Sequence, residues 1–137
     1  MKKRIHRTKP LLICLSAFVI IILFCKCLQP NTQVKTSVIA EWPNNTYTSQ
    51  VPKPHFGQPS RLIEFINGCG ILLDDCSEEN LISYVVVLHN SGYATLNIAE
   101  SDDSKVFLLS NGSLFVQLTL SEKSLLVGLY ITMPEPT

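Results

Sequence analysis

An uncharged apolar run over residues 11–25 is the feature that most constrains this chain, because the sequence LLICLSAFVIIILFC holds one hydroxyl group, on Ser16, and no charge. The run extends to residue 28 if the ammonium group of Lys26 reaches the lipid headgroups. A membrane-spanning helix needs about 20 apolar residues, and roughly 17 is the practical minimum. The run therefore predicts a membrane anchor over residues 11–28. The alternatives are a secretory signal cleaved near Cys25 and a buried core helix.

The charges on either side of this run are strongly asymmetric. Five basic residues precede it: Lys2, Lys3, Arg4, Arg7 and Lys9. The positive-inside rule then predicts a cytoplasmic tail over residues 1–10, which suits the anionic inner leaflet, and an extracellular C-terminus. From residue 29 onward, five basic side chains face eleven acidic ones, a formal charge of −6. This excess of negative charge disfavours nucleic acid as a partner. The chain is therefore predicted to be a type II plasma-membrane protein, or a secreted one if the signal is cleaved.

Residues 29–60 are predicted to be an extracellular stalk. This stretch is rich in Asn, Thr, Ser and Gln. Prolines at positions 43, 52, 54 and 59 interrupt regular secondary structure along it.

Residues 61–137 are predicted to form a β-rich domain, because short apolar runs alternate there with turn residues. The predicted strands cover 62–66, 71–73, 81–88, 92–98, 106–109, 113–120 and 125–132. Within residues 114–120 the apolar side chains recur at every second position, which is the period of a strand. The fold class is therefore predicted to be all-β, a small antiparallel sandwich or jelly roll. A domain this small gains stability from disulfides, glycans or oligomerisation.

The cysteines fall into two groups. Cys69 and Cys76 lie in the predicted extracellular domain, where disulfides persist, and the sequence between them is short enough for a predicted Cys69–Cys76 disulfide. Cys14, Cys25 and Cys27 lie in or beside the predicted anchor. They are interpreted as apolar membrane residues, with palmitoylation or an interchain disulfide as alternatives.

Two N-glycosylation sequons fit an extracellular location. Asn44 begins the first, in a polar stretch, and Asn111 begins the second, in a predicted tight turn. Both asparagines are predicted glycan acceptors.

The sequence offers no pattern for an enzyme. His6, His55 and His89 stand far apart, and no zinc spacing, phosphate-binding glycine loop or nucleophile motif is present. Acidic residues cluster at positions 74, 75, 78 and 79, but their spacing fits no calcium loop, and a solvated turn is the favoured interpretation. The prediction is a binding protein with no catalytic residue, cofactor or metal.

Three segments resemble the tumour necrosis factor (TNF) ligand family. Residues 106–119, VFLLSNGSLFVQLT, resemble a late hairpin of that family, and residues 127–131, VGLYI, are similar to its last strand. Residues 86–93, VVLHNSGY, are similar to an earlier motif but lack the apolar residue before Tyr93. The three occur in the family's order. Residues 61–137 are shorter than the family's jelly roll, which suggests a divergent or truncated member.

The resemblance implies a ligand that binds and clusters TNF-receptor-type cell-surface receptors, as a homotrimer with receptor grooves between protomers. Four aromatic residues are candidates for packing or interface contacts: Tyr93, Phe107, Phe115 and Tyr130. The competing hypotheses are an immunoglobulin-like or other β-sandwich surface glycoprotein and a secreted binding module. The first of these lacks the Cys…Trp…Cys spacing of immunoglobulin domains.

Overall fold

The computed structural model describes residues 34–131, in which the chain forms seven β-strands and one α-helix. In chain order these are β1 (Lys35–Val38), β2 (Gln58–Phe65), β3 (Gly68–Asp74), α1 (Glu78–Asn90), β4 (Ala94–Glu100), β5 (Ser104–Ser110), β6 (Phe115–Ser121) and β7 (Ser124–Tyr130). The predicted cytoplasmic tail (1–10) and membrane anchor (11–28) lie outside the described residues, as do residues 132–137. None of the described helices is long and apolar enough to cross a membrane.

The strands form one antiparallel sheet in the order β1-β2-β3-β7-β6-β5-β4. Strands β4 to β7 follow one another as a meander, and β7 returns to pair with β3 in the middle of the sheet. The prediction of a mainly antiparallel β domain is confirmed. All the described strands belong to this single sheet, and the layer against one of its faces contains α1.

The predicted strand at residues 81–88 is wrong, because this segment lies in α1. The β-branched run Val85-Val86-Val87 favours a strand locally. The buried residues of α1 are Leu81, Tyr84, Val85 and Leu88, which share one face of a helix at a spacing of three and four residues. Tertiary burial of that face outweighs the local preference for a strand.

The start of α1 is fixed by a reciprocal capping box. The Ser77 hydroxyl accepts a hydrogen bond from the Asn80 amide at 3.1 Å, and the Asn80 side chain accepts one from the Ser77 amide at 2.8 Å. We expect Ser77→Ala to lower the free energy of unfolding by about 1 kcal/mol, because helical N–H groups lose their partner. Urea denaturation measures this loss. Ser83→Ala on the exposed side of α1 is the control, and an equal loss there would contradict the capping role.

The hydrophobic core lies between α1 and one face of the sheet, here called the covered face. Every second residue of the central strands points into it. These residues are Cys69, Ile71 and Leu73 of β3, Leu125, Val127 and Leu129 of β7, Val116, Leu118 and Leu120 of β6, and Phe107 and Leu109 of β5. Most of their aliphatic side chains are fully buried, so this face supplies most of the apolar burial that stabilises the domain.

The loop from residue 39 to 57 completes this core, although the sequence predicts a stalk over residues 29–60. Within the loop, Val51 is buried and Trp42 and Tyr47 pack against the core. The hydroxyl of Tyr84 donates a hydrogen bond to the Pro52 carbonyl at 2.7 Å, which ties the loop to α1. The stalk prediction is therefore wrong from residue 34 onward. The prolines interrupt regular structure as expected, but aromatic and apolar side chains of this segment are packed into or against the hydrophobic core.

Candidate functional site

The second face of the sheet, here called the open face, carries apolar side chains that lie outside the hydrophobic core. Its members are Ile63 and Phe65 of β2, Leu72 of β3, Leu126 and Tyr130 of β7, Phe115 of β6, and Val106 and Leu108 of β5. None of the eight belongs to the hydrophobic core cluster. Six are half-buried by their neighbours on the sheet. A sheet face this apolar is normally buried against another layer.

Glycines flatten the middle of the open face. Gly70 of β3 lies directly opposite Gly128 of β7, and Gly68 lies opposite Tyr130. The phenol ring of Tyr130 lies over Gly128, and the ring of Phe65 lies over Gly68, since a Cβ atom at either glycine would come within about 3.0 Å of the ring. The two rings also contact each other, with centroids 5.5 Å apart. The two aromatic rings therefore lie against the backbone of the sheet and do not project away from it.

Few charged residues lie on the open face. Among the described strand positions that point to it, two are charged: Arg61 of β2, which is exposed, and Asp74 at the end of β3. Two polar side chains, Gln117 and Thr119, lie near the centre on β6. The Thr119 hydroxyl is the one buried side-chain oxygen or nitrogen of residues 34–131 that lacks a hydrogen-bond partner. A buried hydroxyl without a hydrogen-bond partner is costly, because its desolvation is not compensated.

A separate acidic cleft of about 340 Å³ lies where the β4–β5 turn meets the start of α1. Five carboxylate residues line it: Glu78, Glu100, Asp102, Asp103 and Glu122. Lys105 pairs with Glu78 and, at 3.4 Å, with Glu100. No group of three His, Cys, Asp or Glu side chains within residues 34–131 is arranged to hold a metal ion. The cleft is therefore an acidic surface that Lys105 partly neutralises.

The predicted Cys69–Cys76 disulfide is wrong for this fold, in which both thiols are free and buried. Cys69 lies near the start of β3, and Cys76 lies two residues after its end. A strand rises about 3.3 Å per residue, so the two Cα atoms are on the order of 16 Å apart. A disulfide requires a Cα separation below about 7 Å. The short spacing in sequence misleads because the intervening residues are extended.

Burial raises the pKa of the Cys69 thiol from its ordinary 9.0 to about 11, and it does the same for Cys76. In the unfolded chain the thiols ionise above pH 9, while in the folded chain they stay protonated until about pH 11. We therefore expect these groups to leave stability unaffected below pH 9 and to lower it as the pH rises from 9 to 11.

Urea denaturation at several pH values measures this fall. In Cys69→Ala, the slope of stability against pH should be less steep, because one of the two thiols no longer titrates. An unchanged slope would contradict the role of burial. The pKa of Tyr84 and that of Tyr93 are also raised by burial, so they add to the loss above pH 10 in both proteins.

The four candidate aromatics separate between the two faces of the sheet. Tyr93 and Phe107 are buried in the core, where the Tyr93 hydroxyl donates a hydrogen bond to the Gln50 carbonyl at 2.9 Å. Phe115 and Tyr130 lie on the open face. The remaining members of that face were not singled out from the sequence. A signal for them exists, because residues 71–73 and 125–127 are uninterrupted apolar runs, which are typical of strands buried on both faces.

The predicted glycan acceptors are both exposed. Asn44 lies in the loop before the 3-10 turn Thr48–Gln50, and Asn111 lies in the β5–β6 turn. The side-chain oxygen of Asn111 accepts hydrogen bonds from the amides of Ser113 and Leu114, both at 2.9 Å. Its amide nitrogen, the atom that a glycan would modify, does not take part in these bonds. Both positions are sterically open to glycosylation, and their occupancy stays a prediction.

The comparisons with known proteins add no assignment. No family model, no curated protein and no solved structure matches this chain. The resemblance to TNF ligands therefore stays a prediction. Of its three segments, residues 106–119 form the β5–β6 hairpin and residues 127–131 lie mainly in β7, whereas residues 86–93 span the end of α1 and the turn that follows it.

Proposed function

We propose that this chain is a membrane-anchored, cell-surface binding protein that contacts its partner through the open face of its sheet. The observation that carries the proposal is the apolar character of the open face, whose eight apolar members lie outside the core cluster. Soluble domains seldom leave a contiguous apolar surface of this kind without a partner. The proposed chemistry is protein–protein contact rather than catalysis.

Support for the location comes from the sequence. The apolar run at 11–28, the basic residues before it and the acidic body after it together favour a type II arrangement. The exposed positions of Asn44 and Asn111 are compatible with glycosylation outside the cell. A cleaved signal would give the same domain in secreted form, so a secreted binding module is the alternative.

A ligand for TNF-receptor-type receptors is the narrower form of this proposal. Its support is the resemblance of the β5–β6 hairpin and of β7 to late strands of that family. The single described sheet counts against it, because a jelly roll has two sheets. A sandwich requires a second sheet against the open face, and an immunoglobulin-like or other adhesion glycoprotein has the same requirement.

Surface display of the full chain tests the location. We would express it in mammalian cells with a C-terminal tag and stain the cells without permeabilisation. We expect surface staining and a glycan mass shift that is lost stepwise in Asn44→Gln and Asn111→Gln. Tag found only in the medium would favour the secreted alternative. Tag found only inside the cell, with no glycan, would overturn the proposed location.

Binding by the displayed chain tests the role of the open face. A panel of TNF-receptor-type ectodomains, offered to the cells as soluble fusions, tests the narrower form. We expect Leu126→Asp on the open face to abolish binding of any ectodomain that binds the wild type. Val86→Asp should leave it unchanged, because Val86 lies on the outer side of α1 and is already exposed. Equal loss in both variants would argue against the open face as the binding surface.

A further inference from the structure

The outer edge of β4 forms a second candidate binding surface, separate from the open face. Among residues 34–131, β4 is the last strand of the sheet, so one side of its backbone meets no other described strand. We propose that an extended peptide of a partner protein adds to this edge as a further strand and lies in the groove between β4 and α1, here called the β4 groove. The inference does not depend on the proposed function, because the groove lies on the covered side of the sheet.

The backbone of β4 directs hydrogen-bonding groups towards this outer edge. In the β4–β5 turn the Ser101 amide donates a hydrogen bond to the Ser104 carbonyl at 2.8 Å, so these two residues form a hydrogen-bonded pair. Such pairs alternate with non-hydrogen-bonded pairs along an antiparallel ladder. Counted back along the register, Glu100 and Ile98 belong to non-hydrogen-bonded pairs. Their N–H and C=O groups therefore point away from β5, where a peptide strand can pair with them.

The side chains of β4 do little to protect its outer edge. Edge strands are normally kept short or carry lysine or proline, which discourages pairing with another chain. The opposite edge strand, β1, has four residues and begins with Lys35. In contrast, β4 has seven residues with no basic residue and no proline, and the Ile98 side chain is 54% exposed. The bulge at Leu96 confines the regular part of the edge to residues 97–100, which suits a short peptide segment.

The helix α1 supplies the second wall of the β4 groove. At one end of the groove, His89 Nε2 lies 2.7 Å from the Thr95 hydroxyl oxygen of β4. At the other end, Glu78 pairs with Lys105, which is the ladder partner of Glu100. The helix therefore runs antiparallel to β4 and beside it, as the wall of a groove for an extended peptide requires.

Two exposed isoleucines make the middle of the β4 groove apolar. Ile82 of α1 is four residues after Glu78 and seven before His89, so all three side chains project from the same side of the helix. On β4, Ile98 lies opposite the core residue Phe107 and therefore points to the side of the sheet that carries α1. Because Ile82 is 44% exposed and Ile98 is 54% exposed, both offer apolar surface to the side chains of a peptide.

The charge at one end of the β4 groove selects the kind of peptide. Glu100, the last residue of β4, lines the acidic cleft together with four further carboxylate residues and Lys105. A basic side chain at this end of a bound peptide would be attracted to the cleft. Every second side chain of an added strand faces α1. The inferred ligand is therefore an extended segment with apolar residues at alternate positions and a lysine or arginine at the end beside Glu100.

A second copy of this chain fits the β4 groove less well than such a peptide. Antiparallel pairing of two β4 strands would bring no basic residue of either strand to an acidic cleft, because β4 contains none. The backbone groups would pair, but the charge of the cleft would have no complement. A dimer formed through β4 is therefore an outcome that counts against the proposal.

Selection from a phage-displayed library of random octapeptides tests the proposal. The target is the full chain, purified in a mild detergent and immobilised through a C-terminal tag. We expect the selected peptides to share two apolar residues separated by one position, with a lysine or arginine at one end. One selected peptide is then synthesised with a fluorophore, and its affinity is measured by fluorescence anisotropy.

Lysine substitutions at the two edges of the sheet show where this peptide binds. Ile98→Lys introduces a charge into the β4 groove and should weaken binding by about tenfold or more. Val38→Lys is the matched control, because Val38 is an exposed apolar residue of the opposite edge strand, and it should change the affinity by less than about twofold. Ile82→Lys should weaken binding as Ile98→Lys does, since it alters the other wall of the groove.

Hydrogen exchange followed by NMR distinguishes strand addition from a purely apolar contact. When the peptide is bound, the amides of Ile98 and Glu100 should exchange more slowly, because their N–H groups then donate to the peptide backbone. The fluorescence of Trp42 reports the fold of every variant, since it is the one tryptophan of the sequence and packs against the core.

Four results would overturn the proposal. The first is a library from which no peptide is selected, and the second is a set of selected peptides without the basic residue. The third is equal weakening by Ile98→Lys and Val38→Lys in folded proteins, or unchanged exchange of the Ile98 and Glu100 amides in the complex. The fourth is a dimer of the full chain that Ile98→Lys dissociates, which would assign the edge to a second copy.

Discussion

Replacing Leu118 with alanine is expected to lower the free energy of unfolding by about 3–5 kcal/mol, enough to unfold much of the domain. Leu118 lies on β6 in the covered face, is 0% exposed, and stands between Val127 and Phe107 on the neighbouring strands. Alanine would remove its buried methyl groups and leave a cavity that the packed strands can only partly close. Urea denaturation of residues 29–137, with the wild-type fragment as reference, measures the loss.

Leu108→Ala is the matched control for this prediction, because Leu108 lies on the adjacent strand but on the open face. Truncating its partly buried side chain should cost only about 1 kcal/mol. If the two variants lost equal stability, the assignment of the core to the covered face would be wrong. A larger loss for Leu108→Ala at high protein concentration would indicate that the open face is buried in a complex.

The second large effect is expected at Gly68, where alanine should cost several kcal/mol. A Cβ atom there would overlap the backbone carbonyl of Leu129 on the neighbouring strand β7. A backbone atom held in the sheet ladder cannot move aside as a flexible side chain can, so the β3–β7 pairing itself would have to open. Thermal and urea denaturation should show a strongly destabilised protein.

Gly70→Ala, two residues along the same strand, is the control for this clash. The nearest atom to a Cβ there is Leu126 Cδ1 at 3.4 Å, an ordinary contact, so alanine should cost less than about 1 kcal/mol. Comparable losses at both positions would mean that glycine is not required by the close approach of β7. The same comparison probes the glycine pair that flattens the open face.

Within residues 34–131, the two faces of the sheet differ in what packs against them. α1 and the loop 39–57 cover one face, so the domain has one well-packed core. The apolar runs of β3 and β7 place side chains of similar character on both faces. In most domains, such strands are central in a sheet covered on both sides. The proposed function therefore places a binding partner against the open face.

Several features of the domain follow from local sequence alone. Local patterns predict strands β2, β5, β6 and β7 and the turns between β4 and β7. One such pattern is the period of two over residues 114–120. Another is the Asn111-Gly112 turn, where Gly112 has a φ of +94°. The apolar run at 11–28 and the asymmetric charge likewise predict an anchor and its orientation directly from composition. These are properties of contiguous residues, so no tertiary contact is needed to infer them.

Only the tertiary structure decided the remaining features. The segment at 81–88 is a helix because this conformation buries Leu81, Tyr84 and Leu88 on one face. The free energy of that burial outweighs the local preference for a strand, which does not depend on tertiary contacts. Residues 34–60 belong to the domain because Val51 is buried in the core and Trp42 and Tyr47 pack against it. The core residues that they contact come from strands and a helix distant in sequence. Cys69 and Cys76 stayed apart because β3 extends between them. The open face emerged only from the strand order, since a side chain's face depends on which layer covers it, and that is set by contacts between distant residues.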